Sequence, residues 1–303
     1  MPKGANITNS IRALSNLNSG CYLCPLSCGA DRSESSGACG AGGKIKIAKY
    51  YLHKFEEPCI SGKNGSGTVF FCGCSLKCRF CQNYELSRNL RGKEISVKEL
   101  ADIFRELETA GAENINLVTP TQYSDKIIAA LEIYKPEIPV VYNTHGYEKP
   151  EILREIDRYV DVYLPDLKFF SPAISKRYTG KENYFEYASK AVAFMVQKPL
   201  KIDGNGMMKS GTIVRHLVLP TCTRDSKRII DFFADNLKDN AYLNLMSQYT
   251  PMGDLKGIPE LERKITKREY DCVIDYALSK GIEKMFYQKR VSASREYVPV
   301  WDY

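Results

Sequence analysis

The sequence contains no continuous run of eighteen apolar residues, which argues against a membrane-spanning helix. Its first residues, Met-Pro-Lys-Gly-Ala-Asn, have no apolar core of the kind that a secretory signal peptide carries. No internal repeat or low-complexity segment is visible along the chain. We therefore expect a cytoplasmic protein without a membrane partner.

The chain also lacks a cluster of basic residues. Its 43 lysines and arginines exceed its 36 acidic residues and give a net charge of +7, but they are scattered. This distribution is typical of a solvated surface that also suits an anionic cofactor, and it gives no clear signal of nucleic-acid binding. Gly65-Ser-Gly67 is followed by no lysine and helix start, so a phosphate-binding loop is excluded there.

Cysteine, by contrast, is abundant, with eleven residues. In a reducing compartment such thiols favour metal sites over disulfides. Cys74, Cys78 and Cys81 fall within eight residues and are too close together to pair conveniently with one another. Three thiolates on one loop can hold three irons of a four-iron cluster. The fourth iron then keeps an open position, where substrate chemistry normally happens, and this predicts an enzyme.

A second cysteine group, Cys21-x2-Cys24-x3-Cys28-x10-Cys39, precedes the first. Four thiolates suit either a closed structural zinc site or an auxiliary iron–sulfur cluster. Unligated thiols or an internal disulfide are the alternatives. Short glycine-rich segments rarely fold without a covalent or metal crosslink, so the metal-bound interpretation is favoured.

After the three-cysteine loop, short apolar runs alternate with longer amphipathic runs, the pattern of parallel βα units. The predicted strands are 68–72, 114–119, 139–144, 161–168, 212–219 and 241–249. The predicted helices are 97–110, 123–134, 150–159, 183–197, 226–236 and about 266–280. A closed barrel needs eight units, so we predict an α/β fold built on a partial (β/α)6 barrel. The predicted parts are a cysteine-rich metal-binding segment (1–60), the barrel (61–285) and a C-terminal tail (286–303).

Polar residues follow several predicted strands at their carboxyl ends, where a parallel barrel carries its reactive groups. These clusters are Thr119-Pro-Thr-Gln-Tyr123, Asn143-Thr-His-Gly146, Asp166-Leu-Lys168, Pro220-Thr-Cys-Thr-Arg-Asp225 and Ser247-Gln-Tyr249. Each alone is compatible with an ordinary loop that carries helix-capping residues. Their shared placement predicts a ring of polar side chains around the cysteine loop.

The spacing of Cys74, Cys78 and Cys81, with Phe80 before the last cysteine, resembles the signature of the radical S-adenosylmethionine (SAM) superfamily. Longer stretches narrow the resemblance to the branch related to pyruvate formate-lyase activating enzymes. These stretches are 56–62, 65–71, 81–87, 142–147, 165–168, 215–220 and 244–249. The resemblance implies the partial barrel of that superfamily and covers nearly the whole chain.

The resemblance implies a radical SAM oxidoreductase. A reduced [4Fe-4S] cluster on Cys74, Cys78 and Cys81 would pass one electron to SAM, and the resulting 5′-deoxyadenosyl radical would abstract hydrogen from a protein or peptide substrate. The electron donor would be a protein such as flavodoxin or ferredoxin. Modification of a small molecule or of RNA is the alternative that the sequence leaves open.

Residue roles also follow from the resemblance. Asp166 and Lys168 match a catalytic Asp-x-Lys pair, although alternate positions on one strand also suit a structural ion pair. The implied SAM-binding residues are Asn83, Thr119, Thr121, Asn143, Thr144, Arg215, Leu217 and Tyr249. Two of these sites depart from the activase pattern. The segment from Thr119 to Thr121 replaces a glycine-rich acidic motif, and Tyr249 stands where activases often carry histidine.

Overall fold

The computed structural model describes residues 20–287. Its strands are β1 Ile45–His53, β2 Ser66–Phe71, β3 Lys93–Ile95, β4 Ile115–Val118, β5 Val140–Thr144, β6 Val162–Pro165, β7 Lys201–Ile202, β8 Met208–Leu217, β9 Tyr242–Met246 and β10 Met285–Tyr287. Its α-helices are α1 Pro58–Ser61, α2 Tyr84–Ser87, α3 Val97–Thr109, α4 Ser124–Ile133, α5 Pro150–Ile156, α6 Pro172–Thr179, α7 Tyr184–Met195, α8 Thr223–Asn236 and α9 Lys267–Ser279. Three short 3-10 helices cover Thr121–Tyr123, Asp157–Tyr159 and Pro259–Leu261. No helix in this part of the chain is long and apolar enough to cross a membrane.

All ten strands belong to one sheet, in the order β10-β9-β8-β6-β5-β4-β2-β1-β3, with β7 paired to β8. The run from β2 to β10 is parallel throughout. β1 pairs antiparallel with both β2 and β3. Within the described residues the sheet ends at β10 and β3, so it forms an open, partial barrel. The predicted α/β fold is confirmed.

Six of the parallel strands and six of the helices correspond to the predicted βα units, with ends that differ by a few residues. Along each strand the side chains alternate between the two faces of the sheet, because successive side chains of a strand point to opposite sides. On β4, Ile115 and Leu117 pack under the helices in the core cluster that contains Leu100 and Phe104 of α3. Asn116 lies between them and is also buried. Both faces of the sheet are therefore covered, as a parallel sheet requires.

The chain between β1 and β2 occupies the amino-terminal end of the barrel. Cys59 and Ile60 of α1 pack with Val162, Ile213 and the other inward apolar residues of this end. Pro58 at the start of α1 fixes a helical φ without the loss of a hydrogen bond. We call residues 54–62 the plug segment, because they fill the barrel from below and leave the cavity at the opposite end.

The sheet extends beyond the barrel segment that the sequence predicted. β1 lies inside the predicted N-terminal part (1–60), and it pairs with β2 along six residue positions. At the other end, Phe286 and Tyr287 lie in the predicted tail, and they pair with β9 as part of β10. The predicted boundaries at residues 60 and 285 are therefore crossed by strand pairing.

Candidate functional site

A deep cavity opens at the carboxyl ends of the parallel strands. Twelve residues predicted from the sequence line it: Cys74, Cys78, Cys81, Asn83, Thr119, Asn143, Thr144, Asp166, Lys168, Arg215, Leu217 and Tyr249. Thr121 does not reach the cavity and lies in a buried layer behind it. The four cysteines between residues 21 and 39 are also outside the lining. The structure thus brings one cysteine group and nearly all of the predicted polar residues together.

The loop that carries Cys74, Cys78 and Cys81 turns tightly at Lys77, whose φ of 49° lies in the left-handed region. Phe80 anchors the loop, because its ring packs edge-on against the rings of Phe169, Tyr178 and Tyr249 at about 6 Å. The Arg79 amide donates to the carbonyl oxygen of Tyr178 at 2.9 Å. These contacts direct three thiols into one cavity.

Three thiols on one loop, beside polar strand ends, fit a four-iron cluster with one open iron. As the side chains stand, no three His, Cys, Asp or Glu residues within 20–287 are disposed to share a metal ion. Binding of a cluster would therefore draw the sulfurs together. Burial raises the pKa of the Cys74 thiol to about 11 and also raises that of Cys78, and the nearby charge of Lys168 opposes part of this rise. Its positive charge suits the negative charge of a thiolate-bound cluster.

Buried charges form the floor of the cavity. Arg215 donates from Nε to Asp166 Oδ1 at 3.0 Å and from Nη2 to Asn143 Oδ1 at 2.5 Å, and its Nη1 lies 3.4 Å from Glu56 Oε2. Lys168 donates to the second oxygen of Asp166 at 2.5 Å. The ion pair between Asp166 and Lys168 that the sequence allowed is therefore formed, and both partners still face the cavity.

The charged residues in the floor of the cavity shift one another's pKa values. Burial alone would raise the pKa of Asp166, but Arg215 and Lys168 hold it below its ordinary value. Burial would lower the pKa of Lys168, yet Asp166 and then Cys78 raise it. Burial raises the pKa of Glu56, against the effect of Arg215. Asp166 and Lys168 are thus a charged pair at neutral pH.

Glu56 is the main site residue that the sequence reasoning missed. The plug segment carries it into the floor, where its Oε1 accepts from Asn116 at 3.0 Å and from Asn143 at 3.2 Å. Its neighbour Glu57 accepts from Asn244 on β9 at 2.7 Å. Both residues lie in a stretch that carries the resemblance, and this was the only signal that the sequence offered.

A second hydrogen-bonded layer lies behind the cysteine loop. The Tyr147 amide donates to His145 Nδ1 at 3.1 Å, so the proton of the neutral ring lies on Nε2, which is 3.2 Å from Ser75 Oγ. Thr121 donates to Glu148 at 2.5 Å, and Thr144 donates to the same carboxyl oxygen. Burial and then Lys168 lower the pKa of His145 to about 3, and burial raises the pKa of Glu148 to about 7.

Thr119 occupies an unusual backbone position at the end of β4. Its φ is 59°, in the left-handed region that β-branched residues rarely adopt. Its amide donates to the carbonyl oxygen of Asn143 at 2.9 Å, and its own carbonyl accepts from Gln122 at 2.8 Å. Threonine thus stands at a turn whose backbone conformation favours glycine, and the hydrogen bonds to the chain around it maintain the strained conformation.

Comparison with known proteins agrees with this geometry. The family model described as "Radical SAM superfamily" matches residues 68–233. An uncharacterized protein of Methanocaldococcus jannaschii is 30% identical over 287 residues, which cover 89% of this chain and 78% of that protein. The pyruvate formate-lyase-activating enzyme of Clostridium pasteurianum is 26% identical over 196 residues, which cover 62% of this chain and 76% of that enzyme.

Solved structures show the same fold. The crystal structure of Streptococcus suis SuiB bound to S-adenosylmethionine aligns with a TM-score of 0.52 at 15% identity and covers 74% of this chain. SuiB bound to its precursor peptide SuiA aligns with a TM-score of 0.51, also at 15% identity, and covers 71% of this chain. The chain spans about half the length of SuiB, since the two alignments cover 50% and 46% of that protein.

Proposed function

This chain belongs to the radical SAM superfamily, and on that premise we propose that it cleaves SAM reductively and uses the product to abstract hydrogen from a protein or peptide. Membership implies a [4Fe-4S] cluster and SAM as cofactors. When bound, they supply one electron to the sulfonium and a 5′-deoxyadenosyl radical to the substrate. The protein positions these groups and excludes water.

One observation carries the proposal: the three thiols and the polar strand ends face the same cavity. In the proposal, Cys74, Cys78 and Cys81 hold three irons. Asn143 and Arg215 lie in the floor of this cavity, and Arg215 has N–H groups beyond those that Asp166, Glu56 and Asn143 accept. They would bind the polar groups of SAM. Thr144 and Thr119 lie at neighbouring strand ends.

Asp166 and Lys168 are proposed to orient the reacting groups. The ammonium of Lys168 lies between the carboxylate of Asp166 and the cysteine loop, and both neighbours raise its pKa, so it remains charged. A fixed cation at this place stabilises negative charge on the loop without reorganisation during turnover. Phe70, Phe80 and Leu217 supply apolar lining, which limits the access of water to a reactive radical.

The polypeptide substrate is proposed from the relative in Clostridium pasteurianum, which by its name activates pyruvate formate-lyase. The match to that enzyme covers 62% of the chain. A one-electron donor such as flavodoxin or ferredoxin completes the proposal. So does a cytoplasmic location, where the eleven cysteines stay reduced.

The first experiment tests the chemistry. The protein is reconstituted without oxygen, reduced with dithionite and incubated with SAM, and 5′-deoxyadenosine is quantified. We expect cleavage by the unaltered chain and none after Cys74→Ala, Cys78→Ala or Cys81→Ala. Cys272→Ala is the matched control, because this cysteine lies on α9, away from the cavity. Cleavage that persists in any of the three loop variants would contradict the proposal.

The second experiment tests the substrate class. Cell extract is divided into macromolecules and small molecules by ultrafiltration, and each fraction is added to the reduced enzyme with SAM. We expect the macromolecular fraction to stimulate formation of 5′-deoxyadenosine, and protease treatment to remove the effect. Sensitivity to ribonuclease instead would indicate an RNA substrate. Stimulation by the small-molecule fraction would indicate the remaining alternative.

A further inference from the structure

Four cysteines between residues 21 and 39 take no part in the proposed reaction. Cys21, Cys24 and Cys39 are buried and Cys28 is exposed, and none of them forms a disulfide. A Cβ atom built on Gly37 would lie 3.4 Å from Cys28 Sγ and 3.6 Å from Cys39 Sγ, so these two sulfurs flank the same small space. The chain turns back on itself between the first three cysteines, because the Ser27 amide donates to the Cys24 carbonyl oxygen at 3.0 Å and the Gly29 amide donates to the Cys21 carbonyl oxygen at 3.1 Å.

A backbone amide of the same segment points at one of these sulfurs. The Ala41 amide donates to Cys39 Sγ at 3.5 Å. Amide donors favour a thiolate over a thiol, and they commonly surround sulfur ligands of metal ions. Ser27, Gly29 and Gly40 all have positive φ and form the tight turns between the four cysteines.

The segment has little other means to hold its shape. Residues 20–44 contain no α-helix and begin a strand only at Ile45. Their large apolar side chains are few: Leu23 packs with Cys21 and Ile152, Leu26 is half-buried against the core cluster that contains Phe80, and only the small residues Cys39 and Ala41 join the core cluster under α3. A segment with so little core depends on a crosslink. Since the four thiols are not paired as disulfides, a metal is the crosslink that the residues allow.

The segment is bound directly to the loop that carries Cys74. The Cys39 carbonyl oxygen accepts from the Cys74 amide at 3.0 Å. Gly73 permits this approach, because a Cβ atom there would lie 2.8 Å from the same oxygen. Arg32 donates to the Gln122 carbonyl at 2.7 Å, and the Gln122 side chain donates to the Gly73 carbonyl at 3.1 Å.

We propose that Cys21, Cys24, Cys28 and Cys39 bind a metal centre of four thiolates, a zinc ion or an iron–sulfur cluster, and that this centre holds the Cys74 loop in place. The positioning of the loop rests on the proposed function of that loop, whereas the binding of a metal by the four cysteines does not. Metal binding would draw the four sulfurs together through small movements of the 26–40 turns. The Cys39 carbonyl, next to one ligand, would then be fixed as an acceptor for Cys74.

The metal is tested in a chain that lacks the other site. A Cys74→Ala/Cys78→Ala/Cys81→Ala variant leaves the N-terminal cysteines as the only grouped thiols, and its zinc, iron and sulfide are counted after anaerobic purification. We expect about one zinc or one cluster per chain, with sulfur as the only directly coordinated element in X-ray absorption. Adding Cys28→Ser should remove most of that metal, while adding Cys272→Ser should not. A triple variant without bound metal overturns the proposal.

The link to the loop is tested in the otherwise unaltered, reconstituted chain. With Cys28→Ser, we expect the Cys74 amide to exchange its hydrogen about fivefold faster. This factor corresponds to the net free energy of one hydrogen bond. Cys28 is exposed, and it makes no contact with the Cys74 loop in the hydrogen-bond pattern described above. Cys272→Ser is again the control. Unchanged exchange in Cys28→Ser, with metal lost, would overturn the positioning role. Both readouts are independent of SAM cleavage, so failure of the proposed function is distinguished from failure of this inference.

Discussion

At the scale of single residues, His145 links the strand end of β5 to the cysteine loop. Its Nδ1 accepts from the Tyr147 amide, so its Nε2–H is left to donate to Ser75 Oγ at 3.2 Å. Ser75 and His145 are both buried. Burial keeps the ring neutral, since its pKa falls to about 3. This arrangement suits a residue that positions the loop more than one that carries protons.

We expect His145→Ala and Ser75→Ala each to lower stability and the iron content of the reconstituted protein. The loss should be about 1 kcal/mol for the hydrogen bond, with more for His145 because of the space that it fills. The double variant should lose less than the sum, since both changes remove one interaction. Urea unfolding and iron analysis measure the effects. Additive losses would mean that the two side chains act independently.

Lys168 is the residue that best separates a catalytic role from a structural ion pair. In Lys168→Met, Asp166 keeps its bond to Arg215, so we expect a stability loss of about 2 kcal/mol, the value for a hydrogen bond between charged groups. SAM cleavage should fall by about tenfold or more, because the charge beside the loop is removed. Lys176→Met, which breaks an exposed pair with Glu182, is the control. Cleavage at the normal rate would favour the purely structural ion pair.

Glu148 makes the stability of the folded protein depend on pH, and the direction of its pKa shift fixes the sign of that dependence. Its pKa is raised by burial from 4.5 to about 7, so the folded chain holds a proton that the unfolded chain releases in this range. Its stabilising effect is present below pH 4.5 and is lost as the pH rises through 7. His145, with a lowered pKa, acts in the opposite direction over about pH 3 to 6.5 and masks the trend in the unaltered protein.

The variant Glu148→Gln isolates this contribution. Relative to the unaltered chain, it should gain stability as the pH rises from 4.5 to above 7, by up to about 3 kcal/mol. Denaturant unfolding at a series of pH values measures the difference. The exposed Glu262→Gln should show no such slope. A difference that stays constant across the range would mean that Glu148 titrates normally.

Membership of the candidate site could be predicted only for residues that a local sequence pattern singled out. Twelve of the predicted site residues line the cavity because strand ends converge in a parallel barrel. Glu56 could not be found this way. A charged residue two positions before Pro58 resembles an exposed turn, and its partner Arg215 is 159 residues away along the chain. Thr121 lies outside the cavity lining for a different reason: it follows a strand end, but the 3-10 turn buries its side chain.

At the scale of elements, the plug segment and β1 are the parts that the sequence reasoning did not foresee. Ile45 and Ile47 alternate with exposed or half-buried residues, which is the pattern of a strand with one covered face. The cysteines that precede β1 form a stronger pattern, that of a metal site, and they obscure this alternation. The plug itself has no periodic signal, because α1 is only four residues long. Its burial results from the barrel that surrounds it.

The plug should contribute strongly to stability. Ile60 is fully buried among Val141, Val162 and Ile213. We expect Ile60→Ala to lower the free energy of unfolding by about 2–4 kcal/mol, through lost burial and the cavity that remains. Ile202→Ala is the matched control, because Ile202 is 42% exposed and should change stability by less than about 0.5 kcal/mol. Equal effects in denaturant unfolding would show that the plug is loosely packed.

At the scale of the whole molecule, strand pairing joins the N-terminal segment to the barrel. β1 lies between β2 and β3, and all six residues of β2 are buried. Loss of β1 would turn β2 into an apolar edge strand, which favours aggregation. The cysteine segment, by contrast, adds no strand to the sheet before Ile45. Residue 44 is therefore a more natural limit of the sheet domain than the predicted boundary at 60.

Two shortened chains test this limit. A chain that begins at Ser61 lacks β1 and most of the plug, and we expect it to aggregate or to unfold without a cooperative transition. A chain that begins at Lys44 keeps the whole described sheet and should unfold cooperatively, at a lower midpoint because the contacts of Arg32 and Cys39 are lost. Size-exclusion chromatography and urea unfolding compare them. If the chain from Ser61 were monomeric and cooperative, the barrel would be independent of β1, and the boundary predicted at residue 60 would be the correct one.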